Sequence, residues 1–326
     1  MLFTPTHNLN IIPEEEFSQE ILNIERELLK YSNEGTINSF DNCTIAYEYF
    51  LVKEAKASII LLHGFTEFYK KLYEMAWYFL NMGYNVFMYD QRGHGLSGRS
   101  NQESYITHVD DFNHYVLDME AFVNEVVVPN SKGVPIHILG HSMGGAVTGL
   151  YLMRDNIPIK KAILSSPMVS PKTHGVPSFV VRMAANRFGK KEGWESVFPH
   201  SKPFNPNPDF NTSSDASAAR FRHNLNYRIN NEVYQNSAFS NGWIKEALKV
   251  KGTLLKKSNL AKITTPTLII SAENDHVVHQ ELHYPMARGI RTCTIATMPG
   301  AKHTVYTALG PVLNKFYETV FDFLEE

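Results

Sequence analysis

The chain has 326 residues, of which 43% are apolar and 20% charged, a balance typical of a globular protein in water. Its formal charge of -2 excludes a global basic field that would draw the protein to nucleic acid. The two cysteines, Cys43 and Cys293, are too few for a disulfide framework, and we interpret both as free thiols in a reducing compartment.

The first residues lack a charged segment followed by a long apolar run, so a secretory signal is not expected. No stretch approaches the ~18 consecutive apolar residues of a membrane span. We therefore expect a cytoplasmic protein and leave peripheral contact with a membrane surface open. Residues 1–35 form an acidic lead-in, in which an apolar repeat at helical spacing predicts a short amphipathic helix: Phe17, Ile21, Ile24 and Leu28.

From residue 44 onward, short apolar runs alternate with helical patterns. Strands are predicted at 44–52, 57–62, 85–89, 135–139, 161–165, 267–271 and 292–296. Helices are predicted at 71–82, 112–127, 144–154 and 311–324. This alternation predicts an α/β fold with a doubly wound, mostly parallel sheet.

The alternation stops near Pro167. Residues 171–250 are rich in Pro, Asn, Ser and Arg and contain amphipathic pieces at 179–188, 216–228 and 241–248. We predict a helical cap inserted at residues 168–250, with the core formed by residues 36–167 and 251–326.

Ser142 is the centre of Gly140-His141-Ser142-Met143-Gly144, directly after a predicted strand and directly before a predicted helix. This setting is what the G-x-S-x-G motif requires, since the sharp turn lifts the serine above the sheet edge. The N-terminus of the helix offers free N–H groups to the oxyanion of an acyl transfer. A mere glycine-rich turn is the alternative, and the flanking elements disfavour it.

A serine hydroxyl needs a positioned base, and the base needs an orienting acid. Acid and base follow the serine in this order in chains with this turn. Asp275 and His303 each follow the end of a predicted strand, where sites form in open sheets. We therefore predict that they are the acid and the base. Glu273 is a rival acid, whereas Asp90 precedes the serine and has the wrong order.

The tetrahedral intermediate needs at least two donors at its oxygen. One is expected from the Met143 N–H, the residue after the nucleophile, and the other from the loop that follows the first buried strand. We assign the second donor to the Phe65 N–H.

Other histidines have simpler interpretations. His276, His279 and His283 can share one helical face and resemble a metal cluster, but no second ligand group lies nearby in sequence. We interpret them as a solvated face and predict no metal site. His94 and His141 are interpreted as hydrogen-bonded supports.

Three motifs carry a family resemblance: LHGFTE at 62–67, DQRGHGLSGR at 90–99 and GHSMGG at 140–145. They resemble the monoacylglycerol lipase and lysophospholipase branch of the α/β-hydrolases, within the serine aminopeptidase S33 group. RFRHNL at 220–225 and GWIKEA at 242–247 are similar to the cap of the bacterial lysophospholipase L2 group. The resemblance begins near residue 40 and leaves the role of residues 1–35 open.

The resemblance implies hydrolysis of a carboxylic ester in a lipid with one acyl chain, without a cofactor. Its nucleophile, acid and base fall on Ser142, Asp275 and His303. The cap must then supply the acyl pocket, and its large apolar side chains are the candidate walls, with packing inside the cap as the alternative for each: Phe179, Val180, Met183, Phe188, Trp194 and Trp243. The basic residues of the cap can attract a lysolipid phosphate or can form a solvated helix face: Arg220, Arg222, His223 and Arg228.

The leading hypothesis is a carboxylic ester hydrolase that acts on lysophospholipid or monoacylglycerol. A short-chain carboxylesterase and an S33-type aminopeptidase are the enzymatic alternatives. The aminopeptidase needs an acidic pocket for the substrate amine, for which only Glu192 and Glu195 in the cap are candidates. A hydrolase-like binding protein would normally have lost a member of the triad. Ser142 argues against epoxide or haloalkane hydrolysis, which would want Asp as the nucleophile.

Overall fold

An eight-stranded sheet forms the centre of the molecule. The computed structural model describes residues 1–101, 103–199 and 201–326. The strands of this sheet are β1 Asn33–Asn38, β2 Thr44–Phe50, β3 Ala57–Leu62, β4 Tyr84–Tyr89, β6 Ile136–His141, β7 Ile159–Ser165, β9 Thr267–Ala272 and β10 Cys293–Met298. They lie side by side in the order β1-β2-β4-β3-β6-β7-β9-β10. A separate parallel pair joins β5 Ile106–Thr107 to β8 Ala238–Phe239.

The sheet is parallel except at β2, which runs antiparallel to both of its neighbours. Every residue of β3, β4, β6 and β9 is buried, because helices cover both faces. Along β3, Ile59 and Leu61 belong to the core on one face, and Ile60 and Leu62 to the core on the other. The predicted doubly wound, mostly parallel sheet is confirmed.

Helices cover the two faces of the sheet. Their bounds are α1 Glu14–Leu28, α2 Tyr73–Asn81, α3 Asn113–Phe122, α4 Val128–Asn130, α5 Met143–Tyr151, α6 Ser178–Glu192, α7 Ala218–Asn230, α8 Asn241–Leu254, α9 Lys257–Leu260, α10 His283–Gly289 and α11 Gly310–Glu325. A π-helical segment, Val123–Val127, joins α3 to α4. None of the helices in the described ranges combines the length and the apolar character that a bilayer crossing needs.

The region between β7 and β9 is mainly helical. It holds α6, α7 and α8, and α6 packs against α8. The amphipathic pieces predicted there correspond to these three helices. The division into lead-in, core and cap remains a prediction. Two elements cross its expected bounds, since β1 begins at Asn33, inside the expected lead-in, and α8 continues beyond residue 250.

The acidic lead-in is part of the packed structure. The helix predicted there is α1, and its buried side chains are the four whose spacing indicated it: Phe17, Ile21, Ile24 and Leu28. Farther upstream, Phe3 pairs with Val52 in an isolated parallel bridge. Helix α1 itself lies against both α2 and α7.

Candidate active site

Ser142 occupies the turn between β6 and α5 in a strained backbone conformation. Its φ of 52° and ψ of -114° lie outside the regions that residues with a side chain readily adopt. Its N–H donates to the Ser165 carbonyl at 2.9 Å, while its carbonyl accepts from Ala146 at 3.0 Å and from Met168 at 2.9 Å. These bonds hold the sharp turn that the sequence motif predicts.

The glycines of the motif permit close backbone packing around this turn. A Cβ added at Gly144 would lie 2.5 Å from the His63 carbonyl oxygen. A Cβ added at Gly140 would lie 2.5 Å from the Gly144 carbonyl oxygen. Because real carbon atoms do not approach so closely, any side chain here would push α5 away from the loop after β3.

Ser142, His303 and Asp275 form one chain of hydrogen bonds. The Ser142 Oγ lies 2.9 Å from His303 Nε2, and His303 Nδ1 lies 2.6 Å from Asp275 Oδ2. All three side chains are buried. The distances suit a serine that passes its proton to a histidine oriented by a carboxylate.

The surroundings of the Asp275 carboxyl group favour its ionised form. Burial alone would raise the pKa of Asp275, but the hydrogen bond from His303 and the backbone N–H groups of Val277 and Val278 outweigh burial. The net effect holds the pKa of this carboxyl below its ordinary value. An ionised Asp275 favours the proton on His303 Nδ1 and leaves Nε2 free to accept the serine proton.

The two predicted oxyanion donors belong to backbone that meets at Ser142. Met143 is the first residue of α5, so its N–H has no partner within the helix. The loop that contains Phe65 approaches the serine closely, since a Cβ added at Gly64 would lie 3.1 Å from the Ser142 Cβ. The use of these two N–H groups as oxyanion donors remains a prediction.

Glu67 holds the loop after β3, a role that the sequence analysis did not identify. Its Oε2 accepts the Gly64 N–H at 2.6 Å, and its Oε1 accepts from Lys71 Nζ and from the Tyr306 hydroxyl, both at 2.8 Å. Burial alone would raise the pKa of Glu67, but the adjoining Lys71 charge and the hydrogen bonds from Lys71 and the Gly64 N–H hold it well below its usual range. Tyr306 lies three residues after His303, so Glu67 links the loop after β3 to the segment that carries the base.

The histidines around the triad are neutral supports. His141 packs its ring against the His303 ring with centroids 4.9 Å apart, and burial lowers its pKa to about 4. Its Nδ1 has no hydrogen-bond partner among the described residues, contrary to the expected hydrogen-bonded support. His94 does make such a bond, from Nδ1 to the Arg92 carbonyl oxygen at 3.1 Å. His63 Nε2 accepts the Gln91 N–H at 3.0 Å.

The rival acids have other partners. Glu273 is exposed and accepts the Gly300 N–H at 2.8 Å. Asp90 is buried and accepts the N–H groups of Tyr69 and Leu96, while burial raises the pKa of Asp90 to about 7. In the described part of the chain, neither carboxylate bonds to His303.

The three downstream histidines do not share a helical face. His283 begins α10 and is buried, with its ring nitrogens on the Ser271 hydroxyl and the Pro167 carbonyl. His279 pairs with Glu281 at 2.7 Å in the preceding 3-10 turn. Over the described residues, no group of three or more His, Cys, Asp or Glu side chains has a geometry that could hold a metal.

A cavity of about 380 Å³ opens beside Ser142 and His303. The loop after β3 contributes Phe65 and Phe68, and α7 contributes one stripe of side chains at helical spacing: Phe221, Asn224, Leu225 and Arg228. The segment before α7 forms another wall, which is mostly polar: Pro208, Asp209, Thr212, Ser213, Ser214 and Asp215.

None of the six candidate wall residues of the cap lines this cavity. Phe179 and Met183 on α6 are 61% and 65% exposed. The Trp194 ring lies against Gly189 and below Lys245, whose Nζ is 4.2 Å from the ring centroid. Trp243 is buried and packs behind the cavity wall against the Phe65 ring, with ring centroids 4.2 Å apart. The prediction that they line the acyl pocket is therefore not met by this cavity, because α7 rather than α6 faces Ser142.

The four basic candidates of the cap separate into different environments. Arg220 is buried and ion-paired to Glu74 at 2.5 Å. His223 bonds to Glu25 of α1 at 2.8 Å, and Arg222 is exposed. Only Arg228 of the four lines the cavity beside Ser142.

Comparison with known proteins places the chain in a family. The sequence profile described as serine aminopeptidase, S33, matches residues 53–308. Lysophospholipase L2 of Escherichia coli strain K12 is 26% identical over 276 residues, which is 82% of this chain and 76% of that protein. The monoglyceride lipase homolog of Monkeypox virus is 29% identical over 254 residues, 77% of this chain and 83% of that protein.

Solved structures agree in fold. A soluble variant of monoglyceride lipase from Saccharomyces cerevisiae, in complex with a substrate analog, gives a TM-score of 0.72 at 21% identity and covers 90% of this chain and 95% of that one. A carboxyl esterase from Bacillus coagulans gives 0.70 at 13% identity and covers 90% and 98%. Since the family profile spans most of the sequence, the chain belongs to the serine aminopeptidase S33 family of α/β-hydrolases.

Proposed function

We propose that Ser142, His303 and Asp275 hydrolyse the carboxylic ester of a lipid with a single acyl chain, through an acyl-enzyme on Ser142. The observation that carries the proposal is the hydrogen-bond chain of 2.9 Å and 2.6 Å that joins the three side chains beside one cavity. The enzyme is a carboxylic ester hydrolase, and its substrate is a lysophospholipid or a monoacylglycerol.

The reaction has two halves. The Ser142 Oγ attacks the ester carbonyl carbon while its proton passes to His303 Nε2. The oxyanion accepts hydrogen bonds from the N–H groups of Met143 and Phe65, and the leaving glycerol oxygen then takes the proton from His303. In the second half, water repeats the attack on the acyl carbon and releases the fatty acid and the free serine.

The cavity supports the lipid ester hydrolase over the aminopeptidase alternative. An aminopeptidase needs a carboxylate that is free to bind the substrate amine. The buried cavity carboxylates, Glu67 and Asp215, both face Lys71 at 2.8 Å and 3.5 Å. The third cavity carboxylate, Asp209, is exposed and accepts both the N–H and the side-chain amide of Asn211 at the start of a 3-10 turn. Neither Glu192 nor Glu195 is among the described residues that line the cavity. A short-chain carboxylesterase remains the second candidate, because the polar wall at residues 208–215 also suits a small ester.

Peripheral contact with a membrane surface is part of the proposal, since single-chain lipids enter from such surfaces. Four apolar side chains, at the start and along one face of α6, are exposed at helical spacing: Val176, Phe179, Val180 and Met183. The same helix carries four cationic residues that suit anionic headgroups: Arg182, Arg187, Lys190 and Lys191. The free thiols of Cys43 and Cys293 fit the reducing cytoplasm that the sequence predicts.

Ser142→Ala tests the nucleophile. We expect kcat on oleoyl-lysophosphatidylcholine, monooleoylglycerol and p-nitrophenyl esters to fall by about 10⁶-fold, since the acyl-enzyme can no longer form. Ser170→Ala is the matched control, because Ser170 is also buried but does not line the cavity.

Mass spectrometry of the wild type stopped during turnover should show the acyl group on the peptide that contains Ser142. Full activity of Ser142→Ala would reject the assignment. Preference of the wild type for aminoacyl-naphthylamides over both lipids would reject the substrate class.

A further inference from the structure

We infer that Arg228 is a specificity-determining residue that binds the phosphodiester of a lysophospholipid headgroup and so favours lysophospholipid over monoacylglycerol. The inference rests on the proposed function, and it names the residue that would separate the two substrate classes.

Arg228 belongs to the face of α7 that borders the cavity. Helix α7 presents two stripes of side chains to different surroundings. Arg220, His223 and Tyr227 bond to Glu74 of α2 and to acidic residues of α1. Arg228 lies on the neighbouring stripe, with Phe221, Asn224 and Leu225, and lines the same cavity as Ser142. A headgroup attached to an ester at Ser142 is therefore within the space that Arg228 borders.

Arg228 makes no ion pair within the described residues, in contrast to three other cations of the interior. The half-buried Arg99 also bonds only to backbone carbonyls, but it does not line the cavity beside Ser142. Lys71 contacts Glu67 and Asp215, and Arg92 contacts Asp118 at 2.6 Å. Arg220 contacts Glu74 at 2.5 Å. Arg228 instead donates from Nε to the Tyr234 carbonyl at 3.2 Å and from Nη2 to the Asn236 carbonyl at 2.5 Å.

These two carbonyls orient the guanidinium without neutralising it. The group also lies 4.7 Å from the centroid of the Phe204 ring, which fixes its plane. A guanidinium has five N–H donors, so N–H groups remain beyond those that the carbonyls take. Burial lowers the pKa of Arg228 to about 10, which keeps the side chain charged at neutral pH.

A half-buried cation with fixed geometry and spare donors suits an anion with two coplanar oxygens. A phosphodiester provides such oxygens, and guanidinium binds them through two parallel hydrogen bonds. A monoacylglycerol offers only hydroxyl groups at the same distance from its ester. The lysophospholipid is therefore expected to bind more tightly than the monoacylglycerol. The attraction between opposite charges is strongest where the cation has no ion-pair partner and little solvent.

The competing role is long-range charge balance within the protein. The carboxylates of Asp215 and Glu67 both raise the pKa of Arg228 against the effect of burial, so they attract the guanidinium across the cavity. If balance were its only role, loss of the charge would disturb the cavity for every substrate alike. Substrate discrimination therefore separates the two roles.

The experiment compares Arg228→Gln, Arg228→Lys and the wild type on two substrates with the same oleoyl chain, lysophosphatidylglycerol and monooleoylglycerol, in mixed micelles with a neutral detergent. We expect Arg228→Gln to lose about 10- to 100-fold in kcat/KM for the lysophospholipid, mostly in KM, and to keep its rate on the monoacylglycerol. Arg228→Lys should recover part of the loss, since lysine keeps the positive charge but lacks the two parallel N–H donors of the guanidinium. Arg222→Gln, on the exposed side of α7, is the matched control and should change neither rate.

Equal losses on both substrates, or no loss on either, would overturn the role of Arg228. Strong inhibition of monooleoylglycerol hydrolysis by inorganic phosphate, absent in Arg228→Gln, would overturn the headgroup assignment in favour of a free-phosphate site. A wild type that cleaves monooleoylglycerol but not lysophospholipid would overturn this inference and leave the proposed function intact, whereas cleavage of neither lipid would reject the proposed function itself. Thermal unfolding of each variant shows whether Arg228→Gln folds, and Arg228→Lys still answers the question if it does not.

Discussion

The Asp275 carboxylate uses its two oxygens for different donors, which leaves no place for an amide. Oδ2 accepts from His303 Nδ1 at 2.6 Å, and Oδ1 accepts the N–H groups of Val277 and Val278 at 2.8 Å and 2.9 Å. An asparagine that keeps its oxygen on the backbone N–H groups would turn its NH2 group toward His303. The imidazole would then carry its proton on Nε2 and could not accept one from Ser142.

Asp275→Asn should therefore lower kcat on p-nitrophenyl esters by about 10⁴-fold while the protein stays folded. Glu273→Gln is the matched control, because Glu273 is a nearby carboxylate that is exposed and accepts the N–H of the exposed Gly300. Its kcat should remain within a factor of about two of the wild type. A comparable loss in Glu273→Gln, with Asp275→Asn still active, would transfer the role of the acid to Glu273.

At the residue scale, chain order and strand ends were enough to select three side chains that the structure joins by hydrogen bonds. The supporting network could not be selected this way. Glu67 bonds to Tyr306, 239 positions away, and Lys71 bonds to Asp215, 144 positions away. The only local signal was the spacing of Glu67 and Lys71 at i and i+4, which on most chains marks an exposed helix pair.

At the scale of elements, α7 is held in place by the N-terminal helix. Glu14 of α1 accepts the Ala219 N–H at the start of α7 at 2.9 Å, and it also pairs with Arg220 at 3.3 Å. Phe17 of α1 lies 4.4 Å below the Arg220 guanidinium. Because the other stripe of α7 lines the cavity, α1 positions one wall of the site without touching it. The lead-in, whose role the sequence left open, is therefore part of the support of that wall.

Helix α6 has the opposite character, since its apolar stripe faces outward. Replacing Phe179 and Met183 together by Glu should lower binding to vesicles of neutral and anionic phospholipid by about 10-fold or more, because two large apolar side chains lose their burial in the lipid. Co-sedimentation with the vesicles measures this binding. The rate on a water-soluble short-chain ester should not change, since neither side chain lines the cavity.

Leu29→Glu provides the matched control for α6, because Leu29 is exposed to the same extent as Phe179, at 61%, but lies at the end of α1. It should bind vesicles like the wild type. Equal binding by the double variant and the wild type would mean that α6 does not contact the membrane.

Elements with strong apolar patterns were predictable, and polar edges were not. The residues of β3 are buried throughout, and the predicted range equals the observed strand. In contrast, β1 has the sequence NEGTIN and alternates between half-buried and exposed positions at the edge of the sheet. Its pairing with β2 gives it strand structure, and such pairing leaves little trace in the sequence of the strand itself.

At the scale of the whole molecule, the alternation of strands and helices determined the sheet, but not which cap helix faces the serine. The aromatic residues of α6 and α8 were expected at the acyl pocket because they are large and apolar. Their helices pack on each other and on the core face that includes Trp243 and Ile244, whereas the more polar α7 borders the cavity. This arrangement depends on tertiary contacts with α1 that hydrophobic patterns do not encode.

Buried histidines give the whole fold a dependence on pH. Burial lowers the pKa of His63, His137, His141 and His283 to about 4 and that of His94 to about 3. In the unfolded chain these groups titrate near their ordinary value of about 6.5. Between these values the unfolded chain binds more protons than the folded one, so lowering the pH favours unfolding. The stabilisation is complete above about pH 6.5 and is lost as the pH falls toward about 4.

We therefore expect the urea midpoint of unfolding to be clearly lower at about pH 5 than at about pH 7.5. Each buried neutral histidine adds at most about 1.4 kcal/mol per pH unit to the slope of the free energy of unfolding against pH. Buried acids act in the opposite direction, since burial raises the pKa of Asp90 to about 7 and that of Glu48 above its ordinary value. These two carboxyls oppose five imidazoles, so the histidines determine the sign. His137→Gln removes one titrating group far from Ser142 and should reduce the difference between the two midpoints. Equal midpoints at both pH values would mean that the histidines accept protons within the folded protein.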